Sequence, residues 1–245
     1  MAQDIGRSRP AAGAGRALAA LLIFGIAFGY VEAAVVVYLR AIYQPLRARL
    51  HPQARPGDLF PLIRADELRA AGPEHARRLV IELGREAATL VMLAGAAWAT
   101  ASSFRTFFAS FLIAFGVWDI FYYVFLKLMI DWPESLWTWD LLFLLPVPWV
   151  GPVIAPVIVA ATMIVTGATV RLREAAGRPV RLRGGDWAMV VAGGIVLVTA
   201  FCWDFRNTTA GGEPNPFHWP LFTAGLAAGL AGFVRGLRRG KPRHF

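Results

Sequence analysis

The sequence predicts an all-α polytopic membrane protein, with about six transmembrane helices and a proline-broken or re-entrant segment before the fourth. Three observations lead there. The 245 residues are 57% hydrophobic and 17% charged, with mean hydropathy +0.51, whereas a soluble domain carries about 25% charged residues. Long apolar runs recur along the chain, each supplying the roughly 20 residues that cross a bilayer. Lys and Arg fall unevenly between the connections of those runs. One cysteine and four histidines exclude an intrachain disulfide framework and a Cys/His zinc finger.

The first expected span, 17–39, carries Gly25, Gly29 and Ala33 at four-residue spacing, a small-residue face on which a partner helix can pack closely. Residues 40–78 are the one sizeable extramembrane piece. Arg55-Pro56-Gly57-Asp58 is turn chemistry, and Leu62, Ile63 and Leu68 predict a short interfacial helix. Gly72-Pro73-Glu74 is a helix start, with proline in the first turn and an acid beside it. It opens the second span, 79–100. The short connection 101–105 makes the third span, 106–130, its antiparallel neighbour.

Residues 141–170 carry no charge but contain Pro146, Pro148, Pro152 and Pro156. As one helix this run would be ~45 Å long, against a hydrocarbon core of ~30 Å. The expectation is an interfacial or re-entrant segment over 132–148 and a fourth span over 149–170. Trp132, Trp137, Trp139 and Trp149 fit an aromatic belt. Asp140 is either a helix cap or a functional acid. Spans five and six, 187–204 and 217–234, are rich in Gly and Ala. The whole chain, 1–245, is expected to form a single integral membrane domain.

The positive-inside rule orients these spans. With the N-terminus inside, the inner side receives Arg7, Arg9, Arg16, Arg105, the arginines of 171–183 and the basic tail 235–243. The outer connection 131–139 has no Lys or Arg, and 205–216 has Arg206 alone. The arginine-rich 40–78 is the exception, and both termini are still expected to be cytoplasmic. The tail is read as meeting anionic headgroups. The net charge of +9 comes with no nucleic-acid motif, so no nucleic-acid partner is expected.

The informative residues are ionisable ones inside the expected spans, each costly in hydrocarbon unless it faces protein or water. Glu74, Arg78, Glu82 and Glu86 recur every four residues on one face of the second span, with Arg85 beside them. Asp119, Tyr123, Lys127 and Asp131 do the same on the third. Glu32 on the first span lies ~10 Å below its expected outer end, a depth matching Glu86. The stripes therefore predict a polar pocket in the outer half of the bilayer, closed below by apolar packing. Its candidate residues are Glu32, Glu82, Arg85, Glu86, Asp119, Tyr123, Lys127 and Asp140. Equal depth predicts contact of Glu32 with Arg85 or its helix. Lys127, two turns from Asp119, is expected to find a partner on another helix or to reach the interface.

Bis-histidine haem ligation, a histidine zinc site and a G-x-S-x-G serine hydrolase find no support in the residues present. Carboxylates without imidazole suit a hard cation, proton transfer or recognition of a cationic group. No cofactor is predicted. A divalent cation, if held, would be held by Glu32, Glu86 and Asp119. Three functions fit: a structural or assembly subunit of a membrane complex, a small transporter or cation- or solute-binding protein with an outward-facing acidic pocket, and an intramembrane metal-dependent enzyme acting on a lipid or isoprenoid. Expected partners are membrane lipids and either another membrane protein or a second copy of the chain.

Four strings carry a resemblance: Gly29-Tyr-Val-Glu-Ala-Ala, Gly84-Arg-Glu-Ala-Ala-Thr, Val117-Trp-Asp-Ile-Phe-Tyr-Tyr, and Trp139-Asp-Leu-Leu-Phe-Leu-Leu-Pro-Val-Pro-Trp-Val-Gly-Pro. Over roughly residues 20–170 the chain resembles a group of bacterial multi-pass membrane proteins with no assigned activity. The resemblance implies a bacterial inner-membrane location and that these segments act as one unit. It implies no catalytic residue and no cofactor.

Overall fold

A computed structural model describes residues 10–53, 59 and 63–239. The expected turn at Arg55–Asp58 and Leu62 lie outside the described residues. The helices are α1 (Pro10–Leu50), α2 (Ala65–Ala71), α3 (Pro73–Ala99), α4 (Phe104–Ile130), α5 (Ile154–Ala175), α6 (Gly184–Cys202), α7 (Phe205–Thr209) and α8 (Trp219–Arg239). Between α4 and α5 stand two short strands, β1 (Trp139–Phe143) and β2 (Trp149–Pro152). The protein is an all-α polytopic membrane protein in which, among the described residues, α1, α4, α5, the α6 segment and α8 are the five helices long and apolar enough to cross a bilayer. The second expected span, 79–100, falls almost wholly within α3, a helix of 27 residues whose hydropathy Glu82, Arg85 and Glu86 lower.

Two expected boundaries differ from the structure. Helix α1 does not end near Leu39: its 41 residues make it about 60 Å long, so 40–50 is helical extension rather than loop. The fourth span begins at Ile154 rather than Trp149, because the preceding residues form a hairpin. Trp139 pairs with Pro152, Asp140 with Gly151, Leu141 with Val150 and Phe143 with Trp149, antiparallel and with an irregularity between Leu141 and Phe143. The prolines explain the choice. Pro146 and Pro148 occupy the turn, Pro152 ends β2, and Pro156 sits in the first turn of α5, so none removes a ladder or helix-interior hydrogen bond. Asp140 accordingly lies in a strand and caps no helix. The four tryptophans of the expected belt differ in their surroundings. Trp137 is exposed, Trp132 is buried beneath Arg40, whose guanidinium carbon lies 4.1 Å from the ring centre, and Trp149 stacks on Phe201.

The start of α3 is as expected, with Pro73 at its first turn, Glu74 beside it, and α2 just before. Thr100 donates to Ser110 at 3.1 Å across the α3–α4 turn, and Trp98 meets Phe107 edge-on. The two helices are therefore antiparallel neighbours. Buried Arg171 of α5 donates to the Thr100 carbonyl at 3.0 Å and secures that turn.

Close helix contact is made where small residues allow it. A Cβ on Gly25 would lie 2.8 Å from the Val117 side chain, and one on Gly29 would lie 2.9 Å from Phe121 Cβ. The predicted small face of α1 thus packs on α4. Gly25→Leu is expected to destabilise the protein by about 1–3 kcal/mol through overpacking, read as a lower unfolding midpoint in mild detergent. On the other side of the molecule, Gly193 of α6 meets Gly225 of α8 with similar closeness. That pair is tied at one end by buried Asp186, which faces Arg235 at 3.2 Å and also Arg239.

Candidate functional site

Helices α1, α3 and α4 leave a cavity of about 450 Å³ between them, roofed by the hairpin and by Leu59, Ile63 and Leu68. The reason is the uneven packing of α3, which runs along α4 and touches α1 little. Below the cavity the space is filled by Leu21, Phe28, Leu93, Ile113, Ala114, Val117 and Trp118, a tight apolar cluster. The charged stripes predict a polar pocket; the cavity gathers their acids in a lining that is otherwise mostly apolar.

Glu32, Glu82, Arg85, Glu86, Asp119, Tyr123 and Asp140 all line this cavity. Arg85 bridges α3 to α1. Its guanidinium pairs with Glu32, the contact expected from equal depth, and with Glu82 one turn earlier, where Nε donates to Oε1 at 2.9 Å. Thr89 adds a donor to Glu32 Oε2 at 3.4 Å. Glu86 points elsewhere: both its oxygens accept from the Leu144 backbone N–H, at 3.1 and 2.9 Å, fastening the hairpin tip to α3. Tyr123 donates from its hydroxyl to Asp140 Oδ2 at 2.9 Å, and the other Asp140 oxygen accepts from the Leu141 N–H. Four of the five acids thus have named protein partners.

Asp119 is the fifth. It is 8% exposed, it opens onto the cavity, and no hydrogen bond or ion pair to it occurs among the described residues. An unpartnered buried carboxylate is costly as an anion. Lys127, expected to serve another helix or the interface, is instead bound to Asp131 one turn along its own helix at 2.6 Å and does not line the cavity. A lysine and an aspartate four residues apart satisfy each other locally, and the Pro133 carbonyl accepts a further hydrogen bond from Lys127 at 3.1 Å.

Sequence reasoning missed six charged or hydroxyl-bearing cavity residues: Arg40, Tyr43, Thr89, Tyr122, Thr208 and Thr209. The signal for two of them was present. Glu32, Val36, Leu39, Arg40 and Tyr43 recur at helical spacing on one face of α1, but an end placed at Leu39 hides the last two. Arg40 brings a second cation, so the lining holds five acids and two arginines. Among the described residues no three acids, histidines or cysteines gather as a metal-ligand group. Glu32, Glu86 and Asp119, the expected set, share the cavity while the first two are directed at other partners. Compared with family models, curated proteins and solved structures, the chain finds no match.

Proposed function

We propose that this is an inner-membrane solute-binding protein whose cavity takes a small organic cation, an amine carrying an apolar body. The observation that carries this reading is the Asp119 carboxylate, buried and unpartnered among the described residues at the wall of a closed-bottomed chamber. A cavity of about 450 Å³ falls in the range of small-molecule sites, about 300–1,000 Å³. The apolar part of its wall is mostly leucine, with Trp118, Tyr122 and Tyr123 available to face a cation, an attraction of about 0.5–2 kcal/mol per ring. An ammonium group would supply the positive charge that Asp119 lacks. A subunit whose charges are merely paired accounts for Arg85 but leaves Asp119 unexplained.

In this reading α3 is a sixth span that turns its polar face to the cavity. The arginine-rich end of the molecule is cytoplasmic and the cavity opens toward the periplasm. A reporter fused after Phe245 is then expected to be active only in its cytoplasmic form, and one inserted at 55–58 only in its periplasmic form. The reverse result would place the cavity on the wrong side for uptake from outside.

Thermal unfolding of the purified protein with a panel of aryl-alkyl amines, alkali and divalent cations, and carboxylates tests the ligand class. A ligand at a hundredfold over its Kd stabilises by about 2.7 kcal/mol, a rise of about 5–10 °C at this chain length. The rise is expected with amines alone. A rise with divalent cations alone would favour the metal-dependent reading instead.

A further inference from the structure

A second cavity, about 550 Å³, separates α4 and α5 from α6 and α8. It is a wedge. At the hairpin end it is shut by Ala155, Ala200, Phe201 and Phe222, which pack together. At the opposite end its lining includes Arg105 and Arg181. Its walls run from Val159 to Val170 on α5 and from Trp187 to Leu197 on α6, about 15 Å along each axis. That is half of a ~30 Å hydrocarbon core, the depth of one leaflet. Thr162 and Thr166 apart, the residues between are apolar or glycine, and Thr162 spends its hydroxyl on the Ile158 carbonyl. Gly194 and Gly229 line the wedge with nothing within 4 Å of where a Cβ would stand.

The charge at the mouth is one-sided. Arg171, Arg173, Arg178, Arg181, Arg183, Arg235, Arg238 and Arg239 lie at this end of the described helices, against the acids Glu174 and Asp186. Asp186 is taken by Arg235 and Arg239, and Glu174 by Arg105 at 3.1 Å. The Arg181 side chain is exposed and has no ion-pair partner among the described residues. We infer that the wedge is a binding site for one anionic phospholipid of the leaflet at this end. An acyl chain fills the wedge, and the phosphate lies at Arg181 and Arg105. A one-leaflet depth suits an acyl chain, and a cationic mouth suits an anionic headgroup over a zwitterionic one.

Native mass spectrometry of the delipidated protein, given equal phosphatidylglycerol and phosphatidylcholine, tests this. One phosphatidylglycerol is expected to be retained per chain. Arg105→Gln with Arg181→Gln should weaken its retention about 30-fold, as two headgroup-proximal arginines would. Gly194→Leu, which adds a side chain to the cavity lining where a Cβ meets nothing within 4 Å, should abolish retention while the amine-dependent unfolding shift persists. Equal retention of the two lipids would overturn the inference. So would undiminished phosphatidylglycerol retention by either the double arginine variant or Gly194→Leu, or a dimer that buries the wedge and excludes lipid.

Discussion

Asp119→Asn is expected to abolish amine binding, by at least about 100-fold, while leaving the protein folded and no less stable. The amide keeps the shape of the side chain and removes its charge. In the complex, that charge would be the counter-ion of a desolvated ammonium, and leaving such a cation unpaired costs about 2–5 kcal/mol. In the empty protein the sign is opposite. Asp119 has no partner to lose among the described residues, so neutralising it removes a desolvation cost. Unfolding midpoints of the variant with and without amine measure both effects at once. A variant that fails to fold would show that Asp119 is paired structurally, and the subunit reading would then be favoured.

Arg85→Gln is expected to have the largest effect on stability. Arg85 faces both Glu32 and Glu82, and their side chains are 9% and 16% exposed. Removing it leaves two carboxylates without their cation in a poorly solvated site, a loss of about 3–5 kcal/mol. The unfolding midpoint should fall by about 10 °C at this size. Arg85→Gln combined with Glu32→Gln and Glu82→Gln should recover most of the loss, because no charge is then stranded. If the single variant unfolds like the wild type, the bridge between α1 and α3 is too solvated to matter, and the chamber's geometry rests on the hairpin contact through Glu86.

The stripes were legible because carboxylates and cations at four-residue spacing have one geometric meaning on a helix. Their depth followed from rise per residue, and depth alone brought Glu32 to Arg85. What periodicity could not supply was the hairpin. An uncharged run reads as membrane span whether helical or extended, and only the spacing of Pro146, Pro148 and Pro152 signalled a break. With the hairpin hidden, so were the Glu86 contact to the Leu144 N–H and the Asp140 contact to Tyr123, which join residues 58 and 17 apart in the chain. Lys127 was misplaced for a different reason. Its neighbour Asp131 was seen as a member of the stripe rather than as the lysine's own partner. Arg40 and Tyr43 were lost to a helix end placed 11 residues short of Leu50.

The assignment of the cavity turns on charge, and a matched pair of ligands isolates it. Titration calorimetry of the purified protein with 2-phenylethylamine and with its neutral isostere 2-phenylethanol compares the same apolar body with and without a positive charge. Saturable one-to-one binding of the amine is expected, with the alcohol at least about 30-fold weaker, the worth of a charge-assisted contact of about 2 kcal/mol. Equal affinity for the two, or binding of neither, would contradict a cation site at Asp119.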